Sequence, residues 1–197
     1  MGIEFELKYR ATEQVQEDIE KLAQNWQTIS METTYYDTAD LALAEKRYTL
    51  RRRLENGVSV CTVKTPSQGH GRREWEVEAQ TVKEAVSELC KLGAPADLLS
   101  LTAGGVMPVC GARFIRRAAT VTVGETVLEL ALDKGDLFSG ERSVPLCEIE
   151  VELKQGSQSQ AVAYGQILAQ RFGLAAEPKS KFRRALALWE EEHGTTK

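Results

Sequence analysis

Apolar and charged residues alternate without a break from Ile3 to Lys8, as Ile-Glu-Phe-Glu-Leu-Lys. A strand has a side-chain period of two, so Ile3, Phe5 and Leu7 share one face and Glu4, Glu6 and Lys8 the other. The same period predicts strands at about Gly2–Arg10, Thr28–Asp37, Lys46–Glu55, Val58–Thr65, Arg72–Ala79, Val109–Val123, Thr126–Asp133, Asp136–Ser139 and Pro145–Lys154. Asn56-Gly57 between two of them is a strong hairpin signal. Four stretches switch to helical spacing. Thr12 N-caps a helix to about Asn25, with Val15, Ile19, Leu22 and Trp26 along one side, and Val82–Leu92 ends at Gly93 and Pro95. Gln158–Phe172 and Lys179–Glu191 close the chain. Eight or so strands joined largely by hairpins predict an antiparallel sheet, curled or closed, in an α+β fold.

The charged faces of these strands form rows. Glu148, Glu150 and Glu152 alternate with Cys147, Ile149 and Val151, while Arg51 and Arg53 share one face of their strand. Glu74, Glu76 and Glu78 make a further acidic row, and Lys64, Arg116 and Asp133 stand on three more strands. One solvated face is ordinary for an antiparallel sheet, so a single row carries no function. Several rows together do. Glutamates at i and i+2 lie about 7 Å apart, where a like-charged pair costs about 2 kcal/mol at an effective dielectric near 20. Screening removes much of this on an open surface but not within an enclosed one. The amphipathic helix Lys179–Glu191, with Phe182, Ala185, Leu186 and Trp189 on one face, needs an apolar surface to cover. Helices packed on the apolar strand faces turn the charged faces inward, which predicts a barrel wrapped by helices around a charged lumen. Acidic rows there suit divalent cations and basic rows a bridged polyanion, an arrangement for polyphosphate chemistry.

Composition narrows the classes. At 197 residues, 42% hydrophobic and 27% charged, the chain reads as one soluble domain. No apolar run reaches the ~20 residues of a membrane span, and the acidic N-terminus is unlike a signal peptide, so a cytoplasmic protein without a membrane partner is expected. Cys61, Cys90, Cys110 and Cys147 are scattered, as reduced buried thiols are. With only His70 and His193 available, a metal has to be held by carboxylates, which points to Mg²⁺ or Mn²⁺. A net charge of −4 with clustered basic residues argues for a small anionic ligand and against nucleic acid.

Glu4-x-Glu6-x-Lys8 is similar to the ExExK signature of the CYTH superfamily, the triphosphate tunnel metalloenzymes. Supporting it in order are Tyr35-Tyr36-Asp37-Thr38, Leu50 to Arg53 before Glu55-Asn56-Gly57, Thr62-Val63-Lys64, Arg116, Ala131 to Gly135, Cys147 to Glu152 and Ser180-Lys181. The resemblance covers nearly the whole chain and looks closest to bacterial inorganic triphosphatases. It implies an eight-stranded antiparallel β-barrel forming a tunnel, and hydrolysis of a triphosphate with Mg²⁺ or Mn²⁺, two ions being expected. Carried over by position, Glu4, Glu6, Glu148, Glu150 and Glu152 bind metal, with Asp133 a further candidate. Lys8, Arg51, Arg53, Lys64, Arg116 and Lys181 grip the phosphates, and Glu6 and Lys8 stand at the catalytic centre. The group that activates water stays open among Glu4, Glu6 and Glu148.

Several neighbours are set aside. Arg52 and Arg117 alternate away from the lumen, Glu74, Glu76 and Glu78 are either solvated or paired with lumen arginines, and Asp37 orders a turn. Thiamine triphosphatase and class IV adenylate cyclase are the rival activities, and a non-catalytic polyphosphate- or nucleotide-binding module is the rival class. An organic substrate needs a lumen aromatic, and Trp26, Trp75 and Trp189 all read as apolar-face residues.

Overall fold

The computed structural model describes residues 2–67 and 72–194, with side chains from residue 5 onward. His70 therefore lies outside the described residues, as does the side chain of Glu4. The elements in chain order are β1 (Gly2–Glu4), β2 (Glu6–Arg10), α1 (Glu13–Glu20), β3 (Gln27–Asp37), α2 (Ala42–Glu45), β4 (Thr49–Glu55), β5 (Val58–Pro66), β6 (Arg72–Glu78), α3 (Val82–Lys91), α4 (Asp97–Thr102), β7 (Met107–Val123), β8 (Thr126–Ser139), β9 (Arg142–Gln155), α5 (Gln158–Phe172), β10 (Ala175–Ala176) and α6 (Lys181–Glu192).

These strands join one antiparallel sheet in the order β1-β6-β5-β4-β3-β7-β8-β9-β2-β10. Among the described residues the expected eight strands are thus ten. The N-terminal strand divides at Phe5, and a two-residue β10 is added, while the two segments expected at Thr126–Asp133 and Asp136–Ser139 run together as β8. Hydrogen bonds among the described residues do not close this sheet into a ring. Its ends are instead joined along the chain: β1 pairs with β6 and β2 with β9, and only Phe5 separates them. The Phe5 carbonyl accepts from Leu153 N–H at 2.9 Å, so the segment is fastened to β9 where it crosses.

Most helices cover the outer face. α3 and α4 pack Val82, Ala85, Val86, Leu89 and Leu98 on Leu50, Cys61, Val63 and Trp75 of β4–β6. α1 and α5 place Ile19, Ala161 and Leu168 against Tyr9, Leu130, Leu132, Ile149 and Val151 of β2, β8 and β9. α1 starts as expected, with Thr12 Oγ accepting from Val15 N–H, but ends at Glu20 and not Asn25. The Trp26 indole N–H caps the carbonyls of Glu20 and Ala23, and Asn25 takes a left-handed φ of 59°, which turns the chain early.

α6 corrects the expectation of helices on the outside. Its apolar residues Phe182, Ala185, Leu186 and Trp189 pack on Tyr35, Cys110, Ala112, Phe114, Leu137 and Leu146. Register puts those strand residues on the same face as the charged rows, because Tyr35 pairs with Arg51 and β7 alternates Ala112, Phe114 and Arg116. The inner face is therefore apolar at one end, and α6 is the element that fills it. Opposite this patch the outer face is wet, with Arg113, Ile115, Lys134 and Asp136 exposed.

Candidate functional site

A cavity of about 420 Å³ lies over the charged inner face, lined among others by Glu6, Lys8, Arg51, Arg53, Lys64, Arg116, Glu150, Glu152 and Lys181. These nine of the sequence-predicted residues come together. They do so because strands of period two in fixed register keep one face throughout. Across β2–β9–β8 the register sets Glu6 opposite Glu152 and Glu152 opposite Glu129, and next to them Lys8 opposite Glu150. Across β4–β5–β6 it sets Arg51 opposite Thr62, and Thr49, Lys64 and Glu74 in line. The β2–β9–β8 wall is consequently mainly acidic, while the β4–β5–β6 wall carries Arg51, Arg53, Lys64 and Arg72 against Glu55, Glu74 and Glu76, a small basic excess.

On the basic wall Arg51 and Lys64 share Glu74, each at 3.4 Å. Arg53 pairs with Glu55, yet burial and the neighbouring charge of Arg51 lower its pKa, the mark of a crowded cationic surface. On the acidic wall Lys8 Nζ lies 3.1 Å from Glu6, and Lys154 lies 2.8 Å from Glu152. Arg72, Glu74, Glu76, Glu129 and Lys154 also line the cavity.

Asp133 and Glu148 do not line the cavity. Both are fully buried beneath it, where they and Glu150 bring carboxylate oxygens within 4.8 Å of one another. Three cations converge on this trio. Arg116 donates to Asp133 through two nitrogens at 2.8 and 2.7 Å and reaches Glu150 at 2.5 Å. Lys181 lies 2.7 Å from Asp133 and 2.8 Å from Glu150 and bonds Glu148, whose other oxygen takes Arg184. Burial pushes the Glu148 carboxyl up, against the opposing pull of Lys181. Glu150 is also desolvated, but Lys181 and Arg116 together hold it well below the usual carboxylate range. Burial alone would lower Lys181 and Arg116; the carboxylates outweigh it and raise both.

Local structure fixes these groups. Ser180 N-caps α6 by accepting from Arg183 N–H, which delivers Lys181 at the first helical position. The first turn of α6 carries Lys181, Arg183 and Arg184, and its last carries Glu190, Glu191 and Glu192, the reverse of what the helix dipole favours. The cationic N-terminal end lines the cavity, where it favours an anion. Gln16 of α1, on the other side of the sheet, donates to the carbonyls of both Asp133 and Glu148 at 2.9 Å. Gly135 makes room for Phe114, since a Cβ there would lie 2.7 Å from the Phe114 Cβ. Phe114 in turn has Lys181 5.1 Å and Arg116 5.8 Å from its ring.

Three of the residues set aside fall as expected: Arg52 bonds Ser59 on the outer side, Arg117 pairs with Glu20 of α1, and Asp37 accepts from Thr38, Leu43 and Ala44 N–H to order the β3–α2 turn. The absence of a lumen aromatic is corrected, because Tyr35, Phe114 and Phe182 all line the cavity. Tyr35 and Phe182 lie against each other at 5.0 Å. Glu129, Lys154 and Arg184 were missed although the same periodicities signal them: Glu129 is four before Asp133, Lys154 two after Glu152, and Arg184 three after Lys181.

Residues 2–186 match the family model of the CYTH domain. An inorganic triphosphatase from Haemophilus influenzae is 30% identical over 138 residues, which are 66% of this chain but 38% of that protein. Among solved structures, the PH1819 protein of Pyrococcus horikoshii OT3 superposes with a TM-score of 0.64 at 22% identity, covering 93% of this chain and 98% of that one. HpAC1 from Hippeastrum, described as an adenylyl cyclase candidate with a dominant triphosphatase activity, gives 0.63 at 19% identity over 98% and 96%. These structural likenesses establish the fold.

Proposed function

This chain belongs to the CYTH domain family, and we propose that it hydrolyses inorganic triphosphate to diphosphate and phosphate with Mg²⁺ or Mn²⁺. The observation that carries the reading is one cavity with a basic wall of Arg51, Arg53 and Lys64 facing an acidic wall of Glu6, Glu129, Glu150 and Glu152. The triphosphatase relative supports it, although the chain spans well under half of that protein.

The donor set suits a hard cation. Every candidate ligand is a carboxylate oxygen, and three carboxylates stand in line at Glu6, Glu152 and Glu129. Glu6, Glu150 and Glu152, which face the cavity, are the residues that would hold it; Asp133 and Glu148 serve instead as counter-ions to Lys181, Arg116 and Arg184. A bound Mg²⁺ or Mn²⁺ supplies neutralisation of phosphate charge and a bound water of lowered pKa. Arg51, Arg53 and Lys64 hold the non-bridging oxygens, and a water oxygen attacks the terminal phosphorus as its bond to the bridging oxygen breaks. The water proton passes to a carboxylate of the acidic wall, for which Glu6, oriented by Lys8, is our choice. Arg116 and Lys181 neutralise charge on the departing diphosphate.

Phosphate release from tripolyphosphate with Mg²⁺ or Mn²⁺, abolished by EDTA, tests this. No release between neutral and strongly alkaline pH ends it. A second reading, an organic triphosphate, is favoured by the apolar lining of Ile29, Met31 and Phe114. Parallel assays with ATP and thiamine triphosphate discriminate: higher turnover of either than of tripolyphosphate selects it.

A further inference from the structure

We propose that Arg184 and Glu177 are positioning residues that fix the Lys181 ammonium at the cavity wall; the proposal rests on the role given to Lys181 above. A chain of alternating charge leads from the surface to the cavity. Arg10, largely exposed, donates to Glu177 at 2.7 Å; Glu177 lies 3.9 Å from Arg184; Arg184 bonds Glu148; and Glu148 bonds Lys181. The side chains of Glu177, Glu148 and Lys181 are 2%, 0% and 10% exposed.

Such an arrangement is a poor way to gain stability. Buried ion pairs rarely repay their desolvation, and two of the cations crowd the wrong end of a helix dipole. Arg184 moreover keeps its Nε buried with no hydrogen-bond partner among the described residues. What the arrangement does secure is geometry. The two oxygens of Glu148 are divided, Oε1 to Lys181 and Oε2 to Arg184. With Arg184 present, Glu148 offers Lys181 one oxygen only. Without it, both oxygens draw the ammonium down into the carboxylates and away from the cavity.

Glu177 fixes the other end of the same segment. Its Oε1 accepts from Lys179 N–H at 3.0 Å, two residues before Lys181, and its own N–H donates to the Lys8 carbonyl at 2.8 Å. The start of α6 is thereby tied to β2 beside Lys8, so Lys8 and Lys181, both lining the cavity, are held at a set separation. Nothing in the alternation of the strands marks Glu177, which lies on the connection between β10 and α6.

The test compares Arg184→Met, Arg184→Lys and Glu177→Gln with wild type in two readouts. In the first, kcat on tripolyphosphate falls about 10-fold in Arg184→Met and Glu177→Gln, KM moves less than about 3-fold, and Arg184→Lys recovers most of the loss, as displacement of a group acting on the transition state requires. In the second, the ¹H–¹⁵N signal of the Lys181 ammonium, identified by its loss in Lys181→Met, shifts or broadens in the same two variants. Folded Arg184→Met and Glu177→Gln proteins with wild-type kcat, or with an unmoved Lys181 signal, overturn the proposal. If wild type itself releases no phosphate, the hydrolytic reading fails and the signal alone decides: a moved signal supports positioning, an unmoved one overturns it.

Discussion

Glu6 and Glu152 stand directly opposite each other across the β2–β9 ladder, on the face that lines the cavity. Facing like charges destabilise a sheet by about 0.2–1 kcal/mol, and Glu129 extends the row by one more strand. Lys8, Lys154 and Arg116 supply cations along the row. A row kept against that cost separates function from stability. Glu6→Gln should lower turnover of tripolyphosphate by at least about 100-fold while leaving the thermal midpoint unchanged or slightly higher without metal. Steady-state kinetics and a melt in EDTA check this; near-normal turnover would remove Glu6 from the site.

Lys64→Ala should match that loss for the opposite reason. Lys64 belongs to the basic wall, and its partner Glu74 is shared with Arg51, so Glu74 keeps a cation when Lys64 is removed. Turnover should fall by at least about 100-fold with the fold intact, because phosphate contacts act on the transition state. A far-ultraviolet spectrum like that of wild type, with kcat/KM within about threefold, would count against the basic wall.

Lys181→Met differs from both. Its ammonium is shared by Asp133, Glu148 and Glu150, so removal leaves buried negative charge uncompensated. Breaking a buried pair from one side costs about 3–5 kcal/mol. Urea unfolding of Lys181→Met should show a loss of that order. A loss below about 1 kcal/mol would mean that the trio is solvated, contrary to its burial.

The faces of the strands were legible because a period of two admits only two assignments, and rows such as Glu148, Glu150 and Glu152 fix which is charged. The side taken by α6 was not. An amphipathic helix declares that it needs an apolar partner without declaring which face supplies it. That face is assembled from residues of four strands, Tyr35 of β3, Ala112 of β7, Leu137 of β8 and Leu146 of β9 among them, which only the register brings together. The surroundings of Asp133 and Glu148 were hidden likewise, since the sequence does not show that Arg116, Lys181 and Arg184 converge on their carboxylates. Gln16 could not have been found: its reach to two carbonyls across the sheet leaves no periodic trace.

The cysteines give a pH dependence. Burial pushes the Cys61 thiol from 9.0 up to about 11, and Cys110 is raised as well. In the unfolded chain the thiol ionises first, so above pH 9 the unfolded state binds fewer protons and stability falls as pH rises toward about 11. The contribution is intact below pH 9. Thermal midpoints measured from about pH 8.5 to about pH 10.5 should decline, and decline less steeply in Cys61→Ala than in wild type. Equal slopes would place the alkaline loss elsewhere.

Gly165 connects the outer packing to the site. It lies on α5 against β2, where an added Cβ would come within 2.5 Å of both Leu7 Cδ1 and Tyr9 Oη. Leu7 and Tyr9 alternate with Glu6 and Lys8, so whatever displaces the outer side chains of β2 displaces the inner ones with them. Overpacking of this kind costs about 1–3 kcal/mol. Gly165→Ala should therefore lower the midpoint of urea unfolding and, because β2 bears two cavity residues, also lower kcat on tripolyphosphate in the protein that remains folded. The same substitution at Gly173 meets open space, since no described atom beyond its chain neighbours and its own helix lies within 4 Å of where the Cβ would stand. Its left-handed φ of 64° should make that change cost stability alone. If both variants lose turnover equally at matched fraction folded, α5 does not set the position of β2.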